Sequence, residues 1–276
     1  MTDNKLKIRR QAFSLTICTV VFTAVYNFTT IYASSLDYVP SFTFYFERFI
    51  PFVPLSIIPY MMSGIFFCAV FFCCKSENQL RILTWRMLFV TITAGIFFIA
   101  VPLRFSLEKP DVSNDFLNLP FLLLKAVDAP FNQSPSLHIV FAFIFWSVFR
   151  ELSKWRIPLL ITLILVGIST LTTYQHHFID VLTGAILAHI SFILIPDHKK
   201  SLKNHNFRTA NYCFLSSLIF ILATLLLSEY IGVEGFLLFL PAVVLALFGY
   251  CYKKNNRLPL LSFTLSKQDI SQAKKS

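Results

Sequence analysis

No segment of this chain is polar for long enough to fold as a water-soluble domain, and charge is scarce throughout. Asp, Glu, Lys and Arg make up 14% of its 276 residues, while 56% are hydrophobic. A soluble domain cannot hide that much apolar surface, so the composition excludes one and leaves a polytopic membrane protein with a single membrane domain. Acidic residues are the scarcer sign, 14 against 24 basic, for a formal net charge of +10. The excess does not indicate nucleic acid, because the cations fall in short clusters between apolar segments rather than on one folded surface. The six cysteines, Cys18, Cys68, Cys73, Cys74, Cys213 and Cys251, have no zinc-ligand partners at useful spacing. They are expected to be packing residues with no disulfide framework. No carboxylate cluster demands a metal, and neither metal nor cofactor is expected.

What is present is a series of apolar runs near the length of about 20 residues that a membrane helix needs. Spans are predicted near 12–33, 53–74, 84–103, 136–150, 157–174, 180–196, 212–228 and 235–252. The expected fold is an all-α polytopic bundle, with a six-span core over 1–196 and two further spans within 197–276. The first run follows Lys5, Lys7, Arg9 and Arg10. It is too long for a signal-peptide core and has no small-x-small cleavage site after it, so it is expected to be retained. The sequon Asn27-Phe28-Thr29 lies inside it and is discounted. Twenty of the 24 Lys and Arg residues fall on the N-terminus, the tail and alternate connections, leaving Arg48, Arg104, Lys109 and Lys125 on the other side. This positive-inside pattern puts both termini in the cytoplasm. Lys199 and Lys200 are topology signals in this reading, with anionic lipid contact as a second role. Short loops without usable glycosylation sites suggest a bacterial cytoplasmic membrane.

Two strings at the edges of apolar runs then stand out. One is Pro135-Ser136-Leu137-His138. The other, His176-His177-Phe178-Ile179-Asp180, begins 38 residues after His138. Both fall at the predicted outer face. Ionisable residues at a membrane edge are costly and mark function. Two imidazoles and a carboxylate are the parts needed for phosphoryl chemistry: a nucleophile, an acid for the leaving group and an orienting acid. His176 and Asp180, four apart, share a helical face if the sixth span starts here, and the carboxylate would fix the tautomer of the attacking ring. His177 is the competing nucleophile; His176 is favoured. Ser136 is a candidate N-cap of the fourth span, whose free backbone N–H groups would receive a phosphate. His138, one turn in, would protonate a leaving oxygen. That span, 136–150, covers only about 21 Å as a helix, against a hydrocarbon core of about 30 Å. A site sunk below the surface suits a lipid head group.

The 104–135 connection is the longest outer one. It is rich in Pro, Asp and Asn, Asp128 and Asn132 among them, and is expected to do more than connect. The segment 37–52 holds seven aromatic residues and is expected to form an interfacial belt.

These strings resemble the type 2 phosphatidic acid phosphatase (PAP2) superfamily, whose pattern joins a Lys/Arg-rich first motif, Pro-Ser-x-His, and Ser-Arg-x5-His-x3-Asp. Ser169 is in register with the third motif; Thr170 stands where the family has Arg. The stretch Thr173 to Val181, and the Leu in Pro-Ser-Leu-His, look like the branch containing inositol phosphorylceramide synthases and bacterial relatives. The resemblance covers about residues 100–196. It implies a metal-independent lipid phosphatase with His176 as nucleophile, Asp180 orienting it and His138 as general acid. It also implies that Arg104, Lys109, Ser136 and Ser169 hold the phosphate of a lipid phosphate substrate. Arg104 is the best clamp, since guanidinium binds phosphate bidentately; Lys125 is a candidate to compensate for the missing Arg. A lipid phosphotransferase, with an alcohol in place of water, uses the same nucleophile. A transporter with a His/Asp proton relay is the non-enzyme alternative, but the chain shows no internal repeat.

Overall fold

In hydrocarbon every backbone polar group must be satisfied internally, and a helix does this within one segment. The computed structural model describes residues 8–127, 130–197, 201–232 and 239–255. Asp128, Lys199, Lys200, Lys5, Lys7 and the cations beyond Asn255 lie outside the described residues. Nine helices are described: α1 (Ile8–Ser34), α2 (Ile57–Phe72), α3 (Glu77–Ala100), α4 (Asp115–Val127), α5 (Leu137–Phe149), α6 (Arg156–Thr172), α7 (Phe178–Leu194), α8 (Ser201–Ile231) and α9 (Phe239–Asn255). Short 3-10 turns cover Tyr45–Phe49 and Pro54–Ser56, and there is no strand among the described residues. The protein is an all-α membrane bundle. Four segments, Ile8–Ser34, Pro54–Phe72, Glu77–Ala100 and Phe207–Ile231, are long and apolar enough to cross a membrane, and four further apolar helices are shorter. Large apolar side chains such as Phe13, Ile65, Ile96, Ile161 and Leu247 lie on the exposed surface, as expected where the surrounding solvent is lipid rather than water.

The eight predicted spans correspond to α1–α3 and α5–α9, with two shifted starts and one addition. α3 begins well before residue 84, because Ser76 caps it: its hydroxyl accepts the Gln79 N–H at 3.2 Å. Arg81 and Arg86, counted among the cations of a cytoplasmic connection in the positive-inside pattern, are therefore inside the helix. Arg86 is buried, with Nε and Nη2 donating to the Ile195 carbonyl at 3.0 and 2.8 Å. α8 likewise begins at Ser201, ahead of residue 212. The addition is α4, which lies within the 104–135 connection and contains Pro120.

α5 is the central helix. Val140, Ile144, Phe145, Val148 and Phe149 are buried against Met87 and Val90 of α3, Val70 and Phe71 of α2, Val166 of α6 and Ala188 of α7. α1 packs on α3, α2 on α6, α8 on α7 and α9 on α8. At its start α5 comes unusually close to α7. A Cβ on Gly184 would lie 2.7 Å from the Ser136 carbonyl oxygen and 3.1 Å from Ile139 Cβ. Backbone cannot yield as a side-chain tip can, so Gly184→Ala is expected to push the two helices apart. The expected loss is about 1–3 kcal/mol, read as a lower thermal midpoint in detergent, together with reduced activity. A variant as stable and active as wild type would show that the approach carries no weight.

Candidate active site

The connection between α6 and α7 is set by the way α6 ends. Tyr174 takes a left-handed conformation, φ 54°. The Gln175 N–H reaches back to the Thr170 carbonyl and the Tyr174 N–H to the Leu171 carbonyl, both at 3.1 Å. This is the Schellman closure, usually made with glycine. A non-glycine residue there costs about 1–2 kcal/mol. Tyr174 is held by its hydroxyl, which donates to the Ile50 carbonyl at 2.9 Å, and by its ring 5.2 Å from Phe52. The same Thr170 carbonyl accepts a further bond, from the His176 N–H at 3.0 Å. Thr170 thus fixes the backbone that carries His176.

α7 begins at Phe178, so His176 precedes the helix rather than sharing its face with Asp180. The two still meet: His176 Nδ1 lies 3.5 Å from Asp180 Oδ2. That carboxyl oxygen also accepts the His177 N–H at 2.8 Å, and the Asp180 carbonyl accepts the Ser136 N–H at 3.0 Å. The last bond ties the start of α5 to the first turn of α7. It brings the His138 ring to 5.6 Å from the His176 ring, centroid to centroid, with the planes at 64°. Tyr60 of α2 packs on the other side of His138, its centroid 4.4 Å away.

Ser136 stands at the N-cap position of α5 with extended backbone, but its hydroxyl makes no cap bond. The expectation that it caps the helix is corrected accordingly. Ser136 Oγ and Asp180 Oδ1 are buried and have no hydrogen-bond partner among the described residues; the same holds for Asn132 Oδ1 and Gln133 Oε1 in the approach to α5. An unsatisfied buried polar atom costs about 1–3 kcal/mol. Ser136 and Asp180 belong to the two segments that carry the imidazoles, where a polar ligand would satisfy them.

His177 has a different environment from its neighbour. The Ser106 backbone N–H donates to its Nε2 at 3.2 Å, which places the ring proton on Nδ1, 2.9 Å from Glu47 Oε2. Phe105 stacks on the ring at 4.4 Å. With both nitrogens engaged and 2% exposure, His177 is built into the scaffold, while His176 faces His138. Glu47 is the residue that sequence reasoning missed. Its Oε1 accepts the Phe44 N–H at 2.9 Å and its Oε2 the Phe178 N–H at 3.1 Å. The available signal was a lone carboxylate in the middle of the aromatic run from Phe42 to Phe52. That segment is also more than a belt, since Phe44 is buried and packs near Phe178.

The remaining predicted residues make other contacts. Arg104 pairs its backbone N–H with the Pro40 carbonyl at 2.9 Å and is exposed. Lys109 Nζ sits 5.8 Å from the centroid of the Phe105 ring, the ring that covers His177. Lys125 is exposed on α4. Ser169 is buried within α6, its hydroxyl donating to the Val166 carbonyl at 2.7 Å. The structure therefore gathers Ser136, His138, His176 and Asp180, and leaves the cations at the rim. No group of His, Cys, Asp and Glu suited to hold a metal occurs among the described residues.

No curated protein and no solved structure matches the chain. One stretch is recognised: residues 83–200, which run from within α3 to just past α7 and contain the whole histidine cluster, match the family model of the PAP2 superfamily.

Proposed function

We infer that the protein is a lipid phosphatase acting on a lipid phosphate or diphosphate through a phosphohistidine. The observation that carries this is the pair of facing imidazoles, 5.6 Å apart, one of them beside the Asp180 carboxyl. The phosphatase-type chemistry of the PAP2 superfamily, whose model matches this stretch, supports it. His176 attacks phosphorus while Asp180 holds its ring. His138 gives a proton to the departing lipid oxygen as the P–O bond breaks. Water then attacks the phosphohistidine and passes its proton to His138, and inorganic phosphate leaves. The Ser136 hydroxyl and the first-turn N–H groups of α5 hold phosphate oxygens, with Arg104 and Lys109 attracting the anion from the rim. The cation distribution supports a site on the outer, periplasmic face of a bacterial cytoplasmic membrane. A second reading, transfer to an alcohol acceptor, draws on the likeness of Thr173–Val181 to inositol phosphorylceramide synthases.

The test is phosphate release by detergent-purified protein from phosphatidic acid, phosphatidylglycerol phosphate and undecaprenyl diphosphate. Release from at least one is expected. None, with a new phosphodiester lipid on adding an alcohol, would replace hydrolysis by transfer. For His138→Asn, release from a lipid phosphate is expected to fall about 10²–10⁴-fold. An aryl phosphate, whose leaving group needs no proton, should lose much less. Equal losses on both substrates would remove His138 from the leaving-group role.

A further inference from the structure

At the opposite end of the bundle the helices enclose a cavity of about 580 Å³. His138 opens α5 and Arg150 follows its end, so the two places are separated by about 18 Å of helix. The cavity is lined by α3, α5, α6 and α7 of the core and by α8 and α9, and four cations border it: Arg86, Arg150, Arg208 and Lys253. Asp197 is the one carboxylate among the lining residues.

The cations differ in how they are held. Arg86 is committed to the Ile195 carbonyl and lies over the Phe192 ring at 4.7 Å. Arg150 is half-buried over the Phe207 ring at 5.4 Å, while Arg208 and Lys253 are exposed at the mouth. Arg150, Arg86, Arg208 and Lys253 line one cavity, where Asp197 offers a single negative charge against their four positive ones. Like charges held together beside a low-dielectric wall repel strongly, and an anion between them removes that cost.

Behind the cations the walls are mainly apolar, and the polar pair among them, His189 and Asn211, is bonded to itself at 2.9 Å. Phe143 and Trp146 of α5 face Phe214 and Leu218 of α8 across the space. From Arg208 to Leu218 the lining runs about 15 Å along α8. A free phosphate would satisfy the mouth and leave this depth unfilled. A phospholipid satisfies both, with its phosphate among the cations and an acyl chain between α5 and α8. Basic pockets between membrane helices bind anionic lipid head groups in this way.

We propose that this cavity binds an anionic phospholipid from the adjacent leaflet, distinct from any substrate at the histidine site, and that the lipid seals the joint between α8–α9 and the core. The proposal gives the last two helices a role that the chemistry at the other end does not.

The test uses the full-length protein and reads lipid retention, not catalysis, so it stands or falls apart from the phosphatase reading. Protein in detergent is mixed with equal phosphatidylglycerol and phosphatidylcholine and examined by native mass spectrometry. The expected result is at least tenfold preferential retention of phosphatidylglycerol and a higher thermal midpoint in its presence. The double variant Arg150→Gln/Lys253→Gln, altered where the side chains are not buried, should lose both. Ala246→Phe, which fills the cavity without changing charge, should also lose retention, while keeping wild-type helicity. Equal retention of the two lipids overturns the proposal, as does undiminished retention in both variants. Equal protection by inorganic phosphate overturns it too, making the cavity a soluble-anion site.

Discussion

His176→Ala is expected to abolish phosphate release, with a loss on the order of 10⁴-fold or more, the scale seen when a nucleophile is removed from a group of residues acting as a unit. The ring has no stand-in. His177 is adjacent in sequence, but its Nδ1 is bound to Glu47 and its Nε2 to Ser106. His138 opens another helix, with its ring already 5.6 Å away. The fold should survive, because the backbone bond from His176 to the Thr170 carbonyl does not depend on the side chain. Circular dichroism and the thermal midpoint should therefore stay near wild type while the rate collapses. Acid-labile, base-stable label from a radioactive lipid phosphate should appear on the wild type and be missing from the variant. Residual activity above a tenth of wild type would remove His176 from the nucleophile role and reopen the case for His177.

Glu47→Ala is expected to have the largest effect on stability, roughly 3–5 kcal/mol, as when one partner of a buried ionisable pair is removed. Three donors lose their acceptor together: the Phe44 N–H, the Phe178 N–H and the His177 ring N–H. Water cannot replace it easily, since Glu47 and His177 are each 2% exposed. Glu47→Gln should cost less, because one amide oxygen still accepts, but its NH₂ then faces another donor. The check is thermal unfolding of both variants in one detergent. An alanine variant within 1 kcal/mol of wild type would mean that the network contributes little. Activity should fall alongside stability, because Glu47 and Asp180 together hold the backbone from His177 onward, next to His176.

The part of this architecture that could be read in the sequence is the part governed by local pattern. Apolar runs become helices because a helix satisfies its own backbone in lipid, and a helix stands at each of the eight predicted spans, four of them within segments long and apolar enough to cross a membrane. Their ends were harder to place. The apolar run starts only after Arg81, but α3 starts at Glu77 because a serine caps it upstream, and a distant carbonyl receives Arg86 inside it. α4 was hidden by Pro120 and by the polar residues around it. At the site, the strings around His138 and His176 supplied three side chains that do converge. Spacing favoured His176 over His177, because only His176 stands four residues before Asp180, but it did not supply what occupies His177 instead. His177 is held by Ser106 and Glu47, 71 and 130 positions away, and contacts at such separation leave no periodic trace. Ser169 shows the converse, a residue in register with a motif whose hydroxyl is spent inside its own helix.

The starts of α5 and α7 both point into the histidine cluster, and by the helix macrodipole each would attract an anion equally. They are not equivalent. At α7 the first donors are already taken, the His177 N–H by Asp180 and the Phe178 N–H by Glu47, so two carboxyl groups cover its positive pole. The far pole of the same helix is complemented in kind, with the Arg86 guanidinium on the Ile195 carbonyl. α5 has no acidic residue in its first turn and no side-chain cap. Its pole is the one without an acidic partner, so on the proposed reading a phosphate entering between the two convergent helices would be drawn to α5 rather than α7.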